Sequence, residues 1–525
     1  MKSKAFSKNF IRTMKTEGLI PALIFLVLFV FQWYSMVIIF VLYSFGTSAR
    51  VARDVEGYKY IFSKNTTGHD IEIQYFSIIV LSVLFAIVLF RFIADKKTVN
   101  VYYSLGISRK NMFLSKYFAG ALMIFLSMLI PFLIFLIPNR LALGASKELY
   151  ITALYYFSSY FVVSMFSFTL SALVFCFVGT ISEGVVYSFV FLAFPTVLLY
   201  SLDVFVKSFC FGTAYGNTIY IDKGIYSEKI KPSFIEATHN INPILFPLRN
   251  LAKYIMADGV KTESGFKVYL DKNQEILWTA PDFKPVIIWA VITVAIAFLA
   301  VYAFRNRKAE ICGFRGKNKV MNTLITIVAG FGVFSAVTLL VKVLPKALTI
   351  AIATLAYLAV FFLLECYFNI GREEYKKGLK KLPVHIVFLF FMILFVSTNL
   401  FGTGDKLPKF EDIESIIVSE PLEASGIFAN YNGASYNLTQ VDVSFQQYVT
   451  VSGNYTTDND KRTILELNKK ISYLSKSKRK NKPEEDSAVA FIYKLKNGKE
   501  VVRFYDYVVD DIPKEFFCLQ KTDYY

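Results

Sequence analysis

The chain has 525 residues, 55% of them hydrophobic and 17% aromatic, and its mean hydropathy is +0.47. A soluble domain of this length needs no such apolar excess, so the composition points to the membrane. The formal net charge of +17 does not indicate nucleic acid, because Lys and Arg fall in short blocks beside apolar runs rather than along one face.

In chain order, Met1–Gly18 carries Lys2, Lys4, Lys8, Arg12 and Lys15, with Phe6, Phe10, Ile11 and Met14 at helical spacing. This pattern predicts an in-plane amphipathic helix over residues 1–18. The run that follows, Leu19–Tyr43, is too long for a cleaved signal core and lacks a clear small-residue cleavage site, so it reads as a retained first span.

About nine runs are long and apolar enough for a hydrocarbon core of roughly 30 Å. They are Leu19–Tyr43, Tyr75–Ala94, Tyr117–Pro138, Ile151–Val178, Val185–Leu202, Pro285–Phe304, Val320–Val341, Ala347–Phe368 and Val384–Phe401. The fourth is overlong and should tilt or extend past the bilayer. The fifth and ninth are short, and one of them is a candidate re-entrant segment. The predicted fold is an all-α polytopic membrane protein with a small C-terminal α+β domain.

Basic residues set the expected orientation. The first 18 residues, the segment Asp95–Lys116, the loop Arg305–Lys319 and the loop Asn369–Pro383 are rich in Lys and Arg. Asn139–Tyr150, on the other side, has only Arg140 and Lys147. A cytoplasmic N-terminus and an extracytoplasmic C-terminus follow from the positive-inside rule. Arg305 and Arg307 are counted here among the basic residues of that loop. The tight turn Gly179–Gly184 has no basic residue and contributes nothing to this reading.

Two regions outside the membrane are large. Residues 203–284 form a long polar loop broken by prolines. Residues 402–525 suffice for a small domain. Within it Ile413–Val418, Val441–Phe445, Ala488–Lys496 and Val501–Val508 read as strands, and Asn497-Gly498 is a hairpin signal. Lys461–Ser475 reads as a helix, followed by a basic loop over Lys476–Pro483.

Signals for catalysis are absent. No GxxxxGK[ST], HExxH or GxSxG occurs, and His69, His239 and His385 are far apart in sequence. The chain is therefore expected to be neither an enzyme nor a metal or cofactor binder. Of the five cysteines, only Cys210 and Cys518 share a side on this topology, and sequence leaves their pairing open. Among ionisable residues in the spans, Glu365 and Arg91 are the candidates for an intramembrane coupling role, and no chain of midplane carboxylates accompanies them.

The segment Asp95–Gly120, DKKTVNVYYSLGISRKNMFLSKYFAG, is built to present a surface. Lys96, Lys97, Arg109, Lys110 and Lys116 suit an anionic membrane face, while Val99, Tyr102, Tyr103, Leu105, Met112 and Phe113 recur near helical spacing. An interfacial helix broken near Gly106 follows.

Lys96–Leu122 resembles the loop between the second and third spans of type-2 ABC exporter permeases. Tyr102, Ser104, Leu105, Ile107, Ser108, Arg109, Lys110, Phe113, Lys116, Ala119 and Gly120 fit the pattern. Gly106 stands where the family has proline, and Tyr103 where it has histidine. Phe491–Tyr505 and Phe410–Val418 are similar to the C-terminal domain of Gram-positive multidrug ABC permeases that carry extra spans.

The resemblance implies a six-span permease core over 19–304, three added helices over 305–401 and an extracytoplasmic domain over 402–525. It implies a cell-membrane exporter of a drug, antimicrobial peptide or lipid-like substrate. ATP and Mg would be bound by a separate ATPase dimer, and a second permease copy or sister permease would complete the path. The ATPase-coupling loop would be residues 96–117, with Tyr102, Tyr103, Leu105 and Ile107 as an anchor beside Gly106, Ser108 and Phe113. Arg109 and Lys110 would form its charged rim. Two alternatives stand beside this: a mechanotransmitting or sensing ABC permease, and a non-ABC membrane scaffold.

Overall fold

The computed structural model describes residues 2–19, 22–24, 26–27, 70–104, 107–143, 147–209, 219–222, 227–231, 241–243, 260–261, 267–268, 282–314, 316, 318–341, 344–369, 378–398, 406–419, 453–478, 487–498 and 500–507. Among them, seven helices are long and apolar enough to cross a membrane, and the chain is a multi-pass membrane protein. A shorter apolar helix covers the expected ninth span, and most of the expected first span lies outside the described residues.

The N-terminal helix α1 spans Lys2–Arg12 and continues as a π-helical turn over Thr13–Gly18. Next come α2 (Asp70–Phe90, closed by a 3-10 turn Arg91–Ile93), α3 (Lys96–Ser104), α4 (Arg109–Leu143), α5 (Lys147–Phe177) and α6 (Ile181–Phe209). Short strand pairs follow, β1 (Ile219–Asp222) with β2 (Ser227–Lys231) and β3 (Val260–Lys261) with β4 (Lys267–Val268). Then come α7 (Lys284–Asn306), α8 (Lys319–Leu340), α9 (Lys346–Phe368) and α10 (Leu382–Ser397).

The fifth expected span differs from its prediction. Instead of a short segment, α6 runs 29 residues with Pro195 inside it, long enough to cross completely. Polar residues such as Ser182, Glu183, Ser201 and Asp203 lower the local hydropathy at its ends, yet the helix continues through them.

The chain forms two compact units. The first comprises Met1–Val197, Thr238–Thr326 and Leu364–Lys376, and the second Leu198–Ala237, Ile327–Leu363 and Lys377–Tyr525. The division does not follow the sequence boundary at residue 304. In the first unit α5 is the central helix and packs on α2, α4 and α7. Its buried small residues Ser164, Ser167, Ser171 and Ala172 let neighbouring backbones approach closely. Aromatic rings fill the rest, with Phe113 set 5.0 Å from Phe90 and 5.5 Å from Phe304.

α1 meets α4 through polar groups. Asn9 and Thr13 are buried, and the Asn9 side-chain amide donates to Ser115 Oγ, whereas Ile11 is 48% exposed. Of the apolar stripe, Ile11 is thus exposed while Met14 packs on the core.

In the second unit, Phe205, Phe209, Phe331, Phe334, Tyr357 and Leu389 form an apolar cluster. Within it the Tyr357 hydroxyl lies 2.7 Å from His385 Nδ1. The same unit holds a four-stranded antiparallel sheet of order β6-β5-β7-β8, made of β5 (Ile413–Ser419), β6 (Gly453–Tyr455), β7 (Ser487–Leu495) and β8 (Glu500–Tyr507). Helix α11 (Asp458–Lys478) buries Ile464 and Leu467 against Ile413, Ile416, Phe491 and Tyr493. Three of the expected strands and the expected helix are present. The segment Val441–Phe445, Cys210, Cys518 and His69 and His239 lie outside the described residues, as does the part of the predicted basic loop after Lys478, where α11 ends.

The β7–β8 hairpin turns at Asn497-Gly498, where Gly498 has φ of 75° and its N–H donates to Leu495 O at 2.8 Å. A side chain is strained at that φ, so Gly498→Ala should cost about 1 kcal/mol. In the full-length protein, amide exchange in β7 and β8 should then accelerate by about fivefold; unchanged exchange would show that the turn does not limit hairpin opening.

Candidate functional site

The segment after α2 folds as a cap over the ends of several helices. Asp95 opens α3: its Oδ1 accepts the Lys97 N–H at 3.2 Å, and its carbonyl accepts the Val99 N–H at 2.9 Å. The helical period buries Val99, half-buries Tyr102 and Tyr103, and leaves Asn100, Val101 and Ser104 exposed, with Val101 at 62%.

Tyr102 turns towards the N-terminal segment. Its ring packs 4.5 Å from that of Phe92, and its hydroxyl donates to Glu17 Oε1 at 2.8 Å. Lys116 is fully buried and pairs with Glu17, its ammonium lying 4.5 Å from the Phe92 ring centroid and 4.7 Å from that of Tyr102. Burial and the Glu17 carboxylate push Tyr102 up to about 12, so its proton stays on and donates. The expectation that Lys116 faces a membrane surface is thereby corrected. It is an internal ion whose charge is met by Glu17.

Tyr103 turns the other way. The Arg109 guanidinium stacks 4.5 Å from its ring centroid and donates to Arg307 O at 2.7 Å. The Tyr103 ring also meets Phe304 edge-on at 6.4 Å.

Arg307, counted from sequence only as a basic loop residue, is buried. Nη1 donates to Phe175 O and Cys176 O, both at 2.8 Å, and Nη2 to Ile93 O at 3.0 Å and Val178 O at 2.8 Å. The carbonyls at a helix C-terminus have no partner within the helix and carry partial negative charge. One guanidinium thus satisfies the end of α5 and the turn after α2 together.

The turn Gly179–Gly184, which has no basic residue, is tied to the loop 307–318. Thr180 and Glu183 form a capping-box pattern in which the Glu183 N–H donates to Thr180 Oγ1 at 3.3 Å. The Glu183 carboxylate accepts the Gly179 N–H at 3.2 Å and reaches across to the Gly316 N–H at 2.6 Å. Gly313 N–H donates to Gly179 O at 2.7 Å, Asn322 Nδ2 to Gly316 O at 3.1 Å, and Tyr187 Oη to Asn322 Oδ1 at 2.5 Å. Gly179 is required by close approach, since a Cβ there would fall 1.9 Å from Phe314 O.

These contacts gather the end of α2, the start of α4, the end of α5, the start of α6, the end of α7 and the start of α8 at one end of the first unit. α1 joins them through Glu17.

Of the residues singled out from sequence, Tyr102, Tyr103, Ile107, Arg109 and Phe113 come together at this end. Tyr102 and Tyr103 are engaged with the protein's own Glu17 and Arg109, Ile107 packs on the core, and Phe113 is fully buried. Ser108 and Lys110 are exposed, and the Ser108 hydroxyl accepts the Asn111 N–H at 3.4 Å. Leu105 and Gly106 lie outside the described residues. Arg91 is exposed at the end of α2. Glu365 is fully buried in α9 and accepts from Asn369 Nδ2 at 2.7 Å, one turn along.

Sequence reasoning did not single out Glu17, Glu183 or Arg307 as organising residues. Only Glu183 carried a local signal, the Thr180–Glu183 spacing. Among the described residues, no three His, Cys, Asp or Glu side chains come together to hold a metal. Compared with known proteins, the chain matches no family model, no curated protein and no solved structure.

A buried charge left without its partner is strongly destabilising, by about 3–5 kcal/mol, whereas removing both partners costs less. Glu17→Gln should therefore lower the unfolding temperature of the detergent-solubilised protein more than Glu17→Gln combined with Lys116→Met. Equal or additive losses in a double-mutant cycle would show that the pair is not coupled.

Proposed function

We propose that the chain is the membrane subunit of an ATP-driven ABC exporter, coupled to a separate ATPase subunit through residues 96–117. The observation that supports this reading most is the mounting of α3. A short helix outside the spans rests on Phe92, Phe304, Arg109 and Glu17, and it keeps one face exposed. A push on that face is transmitted to α2, α4, α5 and α7 without first deforming a loose loop.

The exposed strip offers Val101 as an apolar contact between Lys97, Asn100 and Ser104, with Lys110 beyond the turn. An apolar knob in a charged rim suits a cleft on a protein partner. In this reading Tyr102 and Tyr103 carry load from α3 into the protein, and Val101 makes the outward contact.

The orientation is part of the proposal. Exposed Lys8, Arg12, Lys15, Lys97, Lys110 and Arg305 belong to segments at the same end of the first unit, which supports reading that end as the cytoplasmic one of a cell-membrane protein under the positive-inside rule. The sheet of β5–β8 with α11 is then extracytoplasmic. The substrate is a drug, antimicrobial peptide or lipid-like molecule, and a second copy or a sister permease completes the assembly.

The test is purification from native membranes in mild detergent, with ATP hydrolysis as the readout of a bound ATPase. Wild type should carry ATPase activity, Val101→Asp should lose it, and Tyr102→Phe, which keeps the ring on Phe92, should retain it. Absence of ATPase from the wild-type preparation would remove the ABC reading in favour of a scaffold. Retention by Val101→Asp would move the docking surface elsewhere.

A further inference from the structure

Helix α6 is held firmly at its two ends and loosely between them. Towards its start Tyr187 and Ser188 are buried, and towards its end Ser201, Phe205 and Phe209 are. From Phe191 to Tyr200, by contrast, only Leu192 is buried. Pro195 stands in the middle of this stretch. It has no N–H, so the carbonyl of Phe191, four residues back, loses its helical partner, and the proline ring crowds the same turn. Two residues further on, after Val197, the chain leaves the first compact unit, and Leu198 begins the second. Sparse packing, a missing backbone bond and a unit boundary thus coincide in one stretch of helix, which nevertheless runs unbroken from Ile181 to Phe209.

The same stretch receives a contact from far along the chain. Asn242 is fully buried, and its Nδ2 donates to Thr196 Oγ1 at 2.9 Å. The next residue is fixed in turn, because the Tyr75 hydroxyl donates to Pro243 O at 3.3 Å. Tyr75, near the start of α2, is itself buried and packs edge-on against Tyr160 of α5, with ring centroids 5.6 Å apart. Tyr75, Thr196, Asn242 and Pro243 all belong to the first unit. An amide side chain is costly to bury unless its hydrogen bonds are met, so Asn242 marks a specific seat for this segment on α6.

We infer that residues 194–198 of α6 form a hinge, and that Asn242, set on α2 through Pro243 and Tyr75, is the latch that holds it. With the latch engaged the helix is continuous through Pro195. With the latch released the turn around Pro195 opens first, because it has neither a full set of backbone bonds nor the buried side chains that close the rest of the helix. This device does not rest on the ATPase reading.

Hydrogen–deuterium exchange of the full-length protein in detergent tests it, read on peptides covering residues 191–200 of α6 and, for comparison, 83–90 of α2 and 161–170 of α5. Wild type should exchange faster over 191–200 than over either comparison stretch. Asn242→Ala should accelerate exchange over 191–200 by about fivefold, the effect of one lost hydrogen bond, and leave the comparison stretches within about twofold. Pro195→Ala, which restores the missing N–H, should slow the same stretch and reduce the effect of Asn242→Ala to less than about twofold. Unchanged exchange in Asn242→Ala would overturn the latch. Equal acceleration over α2, α5 and α6 would overturn it too, in favour of a general contribution to stability. Exchange over 191–200 that is no slower in Pro195→Ala would overturn the hinge. Should Asn242→Ala fail to purify, Thr196→Val removes the acceptor instead while keeping the side-chain shape, and the same outcomes decide.

Discussion

Helices that cross a bilayer end in carbonyl groups that hydrocarbon cannot satisfy, and the structure depends on how those ends are met. Arg307 meets four such carbonyls with one planar cation. Lysine, with its compact ammonium, has no fork to span two chain segments in this way. Because Arg109 in turn binds the Arg307 carbonyl, the position of α4 is referred to the same point. The loop after α7 is thus the part against which several helices are set, rather than a tether between them.

A second fixed point lies at Glu17, Lys116 and Tyr102. Two neighbouring aromatic rings, Phe92 and Tyr102, replace part of the lost hydration of the Lys116 ammonium, and the Glu17 carboxylate supplies the opposite charge. The pairing holds α1 beside α4 although the buried face of α1 is polar at Asn9 and Thr13. An amphipathic helix held in this way keeps apolar surface for lipid without needing it for packing. Tyr102 engages this second point while Tyr103 stacks under Arg109, which binds the first, so α3 is tied to both.

The spans were legible because length and apolarity suffice for them, as was the hairpin at Asn497-Gly498, where a turn pair separates two β-rich runs. The strand Gly453–Tyr455 was not, since three residues containing Gly and Asn carry no alternation. The site was legible in position and less so in detail. Basic residues counted along the chain mark segments that meet at one end of the first unit, yet counting does not separate a solvated Lys or Arg from a buried one. Arg307 and Lys116 are buried because their partners, four carbonyls and Glu17, come from segments about 100 or more residues away. Helical periodicity placed Tyr102 and Tyr103 on a packed face but could not say whether that face met the protein or a partner. Val101, between Asn100 and Tyr102 in sequence, had nothing in its type to mark it as the exposed member.

The four-carbonyl contact of Arg307 also bears on the order in which the chain matures during synthesis. Ile93, Phe175, Cys176 and Val178 emerge from the ribosome well before residue 307 does. The link from Arg307 to the ends of α2 and α5 can therefore form only after α7 has been made, whatever contacts those helices have gained before then.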